Sequence, residues 1–221
     1  MELNYEEEYK KQIKANLLKV LDELKTSDMK IKIQKFADKF GYSYNEIEGK
    51  IVNDEIFRCV FSKEPSKQNL YQTLAATFIN SLPMVENFEI LASGGKNAVY
   101  IENGKLFTGI DLINKAKEVK SIDFSWNVGK IKFYASHKYT KDSGGAQDNQ
   151  YLDIQNFLKN ARDNNSKDTI FLAICDGKYY QKKDSQTNDE TKILRLKRLT
   201  DNKTSFVLTI NELMDFLKEI K

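Results

Sequence analysis

Cysteine, proline and histidine are nearly absent from this 221-residue chain, which has two, two and one of them. Cys59 and Cys175 are too few and too far apart for a disulfide framework or a zinc site. No apolar leader opens the sequence, no apolar run is long enough to span a bilayer, and no segment repeats. These absences point away from secreted, membrane and solenoid classes, and the expected location is the cytoplasm, with reduced thiols. Charge of either sign is also in short surplus. The formal net charge is +3; residues 1–60 hold 11 Lys and Arg against 12 Asp and Glu, a net of −1, which leaves +4 for the rest. A small excess of this kind permits a nucleic-acid groove without defining one.

What is present is strong patterning. The segment Ser121–Tyr151 reads as a hairpin, a glycine turn and the start of a helix. Ile122, Phe124 and Trp126 alternate with Ser121, Asp123 and Ser125, the period of a strand buried on one face, so Asp123 falls on the polar face. Asn127 to Lys130 supplies a turn. Ile131 to Lys138 alternates again, with Ile131, Phe133, Ala135 and His137 on one side and Lys132, Tyr134, Ser136 and Lys138 on the other. Two adjacent strands thus bring the Asp123 carboxylate near the Lys138 ammonium. A strand carboxylate can hold Mg²⁺, and a neighbouring lysine can orient an attacking water or offset charge on a pentacovalent phosphate.

The remaining chain frames this hairpin. Residues 4–26 predict a helix with Ile13, Leu17, Val20, Leu21 and Leu24 on one face. Ala37, Gly41 and Ile47 have the spacing of a helix-turn-helix, with residues 44–52 as the recognition helix, although two short packing helices joined by a glycine turn fit as well. Lys50 would attract phosphate there, and Glu46 and Glu48 would repel it. Ile56 to Phe61 reads as a strand, and Ser66 to about Ile79 as a helix with Leu70, Leu74 and Phe78 buried. A strand over Phe88–Ala92, a hairpin turning at Asn103-Gly104 and a short helix over Ile110–Val119 follow. Beyond the hairpin come an amphipathic helix from Gln147 to Arg162, a buried strand from Thr169 to Ile174 and a polar loop over 181–191. Two strands, Leu194–Leu199 and Phe206–Ile210, precede a final helix capped at Asn211.

The Asp123 and Lys138 hairpin resembles the PD-(D/E)xK nuclease motif, and the run KYTKDSGGAQDNQ resembles a group of type II restriction endonucleases. Ile122 stands where that pattern has proline and Ser136 where it has a second acid. Gln147 with Tyr151 resembles the QxxxY element of the same superfamily. The resemblance implies an α/β (α+β) fold, a restriction-endonuclease-like mixed central sheet flanked by helices, in residues 63–221, with a small helical module in 1–62. It implies a Mg²⁺-dependent endonuclease cutting double-stranded DNA, its partners being that DNA and a second copy of the chain in a homodimer. Asp123, Lys138 and Gln147 would be catalytic. Asp123, the His137 backbone carbonyl and an acid recruited from the following helix, Asp148 or else Asp153, would hold the metal. The His137 side chain is expected in the core, pointing away from Lys138. Lys141, Lys50, Gln72 and Asn149 would face DNA, Gln72 standing where the resemblance leads one to look for a glutamate. A scaffold that binds DNA without cutting it, and a repair or resolving nuclease, are the alternatives.

Overall fold

The computed structural model describes residues 2–111, 121–141, 145–184 and 190–220. The expected helix over Ile110–Val119 therefore lies largely outside the described residues, as do Gly144 of the glycine turn and residues 185–189 of the polar loop. The chain divides into two compact units, residues 4–71 and residues 72–221 together with 1–3. The expected boundary at 62/63 falls earlier than this division because residues 63–71 bond back to the first helix. Asn16 donates to the Lys63 carbonyl and to Gln68 Oε1, and Tyr9 donates to Glu64 at 2.8 Å.

The first unit opens with α1 (Tyr5–Glu23), α2 (Ser27–Phe40) and α3 (Tyr44–Asn53). Gly41 ends α2 at φ 72°, a left-handed cap that glycine adopts without strain, and its N–H bonds to the Ala37 carbonyl. Ser43 and Glu46 then form a capping box that starts α3. Val20, Met29, Ile33, Ala37, Ile47, Ile51 and Phe61 bury together as this unit's core.

Ile56 to Phe61 is not a strand. Asp54 caps a one-turn helix, α4 (Glu55–Arg58), by accepting from the Phe57 N–H, and this local bond outweighs the β propensity of the segment. The turn carries Arg58, 9% exposed, whose guanidinium donates to the Ile51 and Val52 carbonyls at 2.9 and 2.8 Å. A cation closing the open end of α3 meets both the orphan carbonyls and the helix dipole. Arg58→Ala is expected to destabilise this unit by about 2–4 kcal/mol in urea unfolding, since each hydrogen bond of a charged group contributes roughly 1.5–3. A loss under about 0.5 kcal/mol would remove that role.

The expected helix from Ser66 is two pieces. Pro65–Gln68 is a 3-10 turn capped by Glu64, Asn69 breaks it at φ 56°, and α5 (Leu70–Asn80) follows. Ala75, Ala76, Phe78 and Ile79 form its buried face, and Leu70 and Leu74 are only half-buried.

The second unit is built on a five-stranded mixed sheet. Its strands are β1 (Glu86–Ile90), β4 (Phe124–Val128), β5 (Ile131–Tyr139), β6 (Thr169–Asp176) and β9 (Ser205–Leu208), in that spatial order. The hairpin β2 (Val99–Glu102) and β3 (Lys105–Thr108), turning at Asn103-Gly104, stands apart. Pairing is antiparallel for β1/β4 and β4/β5 and parallel for β5/β6 and β6/β9. The β4–β5 turn is tighter than expected: Val128 pairs with Ile131, so only Gly129 and Lys130 lie between them.

Parallel neighbours require a crossover, and α6 (Gly145–Ala161) carries the chain from β5 to β6. Tyr151, Ile154, Phe157, Leu158 and Ala161 of α6 share a core with Phe171, Ala173 and Cys175 of β6. Trp126 stacks on Phe133 with centroids 5.4 Å apart, both side chains fully buried. Full burial of a Phe side chain contributes roughly 1.5–3 kcal/mol. Ser125 is buried too, so β4 is covered on both faces where one-sided burial was expected.

After β6 come α7 (Lys178–Gln181), the short pair β7 (Lys183–Asp184) and β8 (Glu190–Thr191) within the expected loop, and α8 (Lys192–Lys197). The expected strand Leu194–Leu199 is thus mostly helix. Thr191 caps it by accepting from the Leu194 N–H, and Ile193 and Leu196 bury at helical spacing. The last helix, α9 (Leu213–Glu219), is entered through a 3-10 turn closed by a Thr209 and Glu212 capping box. Asn211, the expected cap, instead pairs with the Leu3 backbone. Among the described residues no helix is long and apolar enough to cross a membrane.

Ahead of β9, Asp201 gathers the loop by accepting from the Lys203, Thr204 and Ser205 N–H groups and from the Thr204 and Ser205 hydroxyls. Burial works against its charge, but these bonds outweigh it and hold the carboxyl at about 2, below its ordinary 3.8. A folded-state value below the unfolded one means stabilisation that is complete above about pH 4 and is lost as pH falls toward 2. Thermal melts at pH 6, 4 and 2.5 should show the gap between wild type and Asp201→Ala closing over that window. A gap independent of pH would contradict it.

Candidate active site

Antiparallel pairing sets the site. Phe124 pairs with Ala135, and the Asp123 N–H bonds to the Ala135 carbonyl, so residue 123 lies beside Ser136 at the C-terminal half of β5. The alternation expected from sequence puts Asp123, Ser136 and Lys138 on one face, and the contacts agree. Lys138 Nζ is 3.5 Å from Asp123 Oδ2, the two side chains being 24% and 13% exposed. The Ser136 hydroxyl donates to the same oxygen at 3.4 Å, and the His137 N–H at 2.8 Å. Asp123 Oδ1 accepts from Gln72 Nε2 at 3.3 Å. Hydroxyl, amide, ammonium and peptide N–H together hold one carboxylate in a fixed orientation.

The His137 N–H points past the beginning of β4 to reach Asp123. In a strand the N–H and C=O of one residue face the same edge, so the His137 carbonyl faces that gap as well. Its imidazole lies on the opposite face, 2% exposed, with Nε2 3.5 Å from Asp176 Oδ2 and its ring 6.1 Å from Phe124. Asp176, itself buried, accepts from the Ile210 N–H at 3.0 Å. This pairing joins the ends of β5, β6 and β9, and sequence reasoning did not find Asp176. An acid closing a buried strand before Gly177 was the available signal. Gly177, at φ 99°, sits where any Cβ would strike the Thr140 backbone.

Of the two helix acids, Asp148 is exposed and Asp153 half-buried. Asp148 Oδ1 accepts from the Tyr179 hydroxyl at 2.6 Å, a bond to α7. Burial, then this bond, push the Tyr179 phenol well above its ordinary value. Among the described residues no group of three or more His, Cys, Asp or Glu is arranged to hold a metal ion. No hydrogen bond links Gln147, which is half-buried, to Lys138 or Asp123 among the described residues, while Tyr151 is buried against Tyr179. Lys141 and Asn149 are exposed, and Lys50 is exposed on α3 of the other unit. Cys175 lies across from Lys138 in the sheet register, but burial raises its thiol well above the ordinary range and makes it a poor nucleophile.

The donor set is oxygen-rich and hard: the Asp123 carboxylate, the Ser136 hydroxyl, the His137 carbonyl and, after rotation of its amide, the Gln72 oxygen. That chemistry fits Mg²⁺, which keeps several waters and takes one or two protein carboxylates. No family model matches the chain, and no curated protein matches it. Among solved structures it is similar to the crystal structure of protein VC1899 from Vibrio cholerae, at 12% identity and a TM-score of 0.37, over 99% of this chain and 57% of that one. The chain therefore spans little more than half the length of that protein.

Proposed function

We propose that this chain is a Mg²⁺-dependent endonuclease of the PD-(D/E)xK type that hydrolyses phosphodiester bonds in double-stranded DNA, as a type II restriction enzyme. The observation that carries the proposal is the Asp123 carboxylate held 3.5 Å from the Lys138 ammonium and fixed by the His137 N–H at 2.8 Å. Mg²⁺ held by Asp123 and the His137 carbonyl would polarise the scissile phosphate and neutralise charge developing on it. Lys138 supplies a second cation that orients water for in-line attack. As the water oxygen bonds to phosphorus and the bond to the leaving oxygen breaks, the water's proton passes to solvent and the leaving oxygen takes one from solvent, while the ammonium offsets the negative charge on the phosphoryl oxygens. Ser136 and the His137 N–H keep the Asp123 carboxylate from turning away. A homodimer in the cytoplasm, where both free cysteines stay reduced, suits the cutting of a two-fold symmetric site.

One observation favours a second reading, a DNA-binding scaffold that has lost cleavage. The single carboxylate already accepts from four protein donors, so a cation must compete with Gln72 and Lys138 for it. Supercoiled plasmid incubated with the chain in Mg²⁺ and in EDTA separates the two. Discrete Mg²⁺-dependent fragments support the endonuclease, retarded but uncut DNA supports the scaffold, and structure-specific nicking supports a repair role.

A further inference from the structure

We propose that the exposed face of α3 is a base-reading surface for the major groove of duplex DNA. Asn45, Lys50 and Asn53 would meet base edges, and Gly49 is the gap through which the helix approaches them. This site is separate from the Asp123 pair and stands whether or not that pair cuts DNA.

Gly49 is the starting point. It occupies the interior of a ten-residue helix, where glycine costs about 1 kcal/mol relative to alanine. Among the described residues nothing asks for it: a Cβ there would meet no atom within 4 Å, and its φ is not left-handed. A bare strip facing open space is explained by something outside the unit that must come close. The strip is flanked by Asn45 and Asn53, one turn to either side, with Lys50 adjacent, and all three are exposed. Ile47 and Ile51, 1% and 0% exposed, anchor the opposite face in the core.

The connection to α2 has the helix-turn-helix form, with Ala37 fully buried, Gly41 left-handed and a three-residue turn over 41–43. In that geometry the second helix enters the major groove while the first crosses the backbone. Lys30, Lys35 and Lys39 of α2 are exposed and suited to phosphates. The acids that argued against DNA here are engaged locally. Glu46 accepts from the Ser43 N–H and hydroxyl at 2.8 and 2.7 Å, and Glu48 accepts from the Tyr44 hydroxyl at 3.2 Å. An asparagine amide matches the N6 and N7 edge of adenine, and a lysine ammonium matches the N7 and O6 edge of guanine. Asn53 is exposed and donates its amide N–H to the Gly49 carbonyl at 2.9 Å, and its Oδ1 is the acceptor that a base edge would meet.

The test is selection from a randomised duplex DNA library by the full chain, in EDTA and again with Ca²⁺, alongside thermal melts. Wild type is expected to enrich a short sequence, and Asn45→Ala, Lys50→Ala and Asn53→Ala each to lose about tenfold discrimination at one base pair. Gly49→Leu should abolish the enrichment while the melting temperature holds or rises, since leucine is the better helix former. That combination separates a contact surface from a structural role. The proposal is overturned if wild type enriches no sequence, or if all four variants enrich the same one. It is equally overturned if Gly49→Leu alters only the oligomeric state, which would make the face a protein-docking surface. Plasmid cleavage, read separately, is untouched by any of these three failures.

Discussion

Replacing Asp123 by Asn is expected to lower Mg²⁺-dependent phosphodiester cleavage by about a hundredfold or more, and Lys138→Ala to do the same. Asparagine is the sharper probe than alanine. Asp123 accepts the His137 N–H, the Ser136 hydroxyl and the Gln72 amide, so alanine would strand partly buried donors at roughly 1–3 kcal/mol each, and any lost activity could be lost folding. Asparagine retains one acceptor oxygen and the side-chain shape, and it removes the charge a divalent cation needs. Lys138 is only a quarter exposed, so its truncation leaves the Asp123 carboxylate without its cation, and lost stability has to be read apart from lost chemistry. Single-turnover cleavage with matched melting temperatures is the measurement. A rate within severalfold of wild type in Asp123→Asn would sink the assignment of this pair.

Gln72→Glu is expected to tighten Mg²⁺ binding at least tenfold. The Gln72 amide nitrogen lies 3.3 Å from Asp123 Oδ1, and glutamate is its near-isostere, so the substitution sets a second carboxylate beside the first. Without metal the two like charges repel, and one of them holds a proton to higher pH than usual. With Mg²⁺ the same pair becomes a two-carboxylate site of the kind a hard cation prefers. The melting temperature of the variant should therefore start below wild type and rise more steeply with added Mg²⁺, because stabilisation by a ligand grows as RT ln(1 + [L]/Kd). Cleavage should increase at low Mg²⁺ if the chain is an endonuclease short of one ligand. A titration in which the variant binds Mg²⁺ no better than wild type would show that the cation does not sit at Asp123.

Sequence by itself determined the elements in which many residues repeat one signal. Alternation over Ile131–Lys138 fixed a strand and its faces, and the same alternation placed Asp123, Ser136 and Lys138 together, because a strand's period of two leaves no choice of side. The unbroken apolar run at β6, the α1 and α6 stripes and the Ala37, Gly41, Ile47 spacing were legible for the same reason. Short segments were not. Leu194–Leu199 and Ile56–Phe61 hold fewer than two helical turns, too little to separate a period of 3.6 from one of 2, and the caps at Thr191 and Asp54 decided them. Partners distant in sequence were decided only by tertiary structure. Asp148 went to Tyr179, His137 found Asp176, and Gln72 reached Asp123 across 51 residues, because each contact depends on which strand ends and helix starts the sheet order brings side by side, and no local pattern encodes that order.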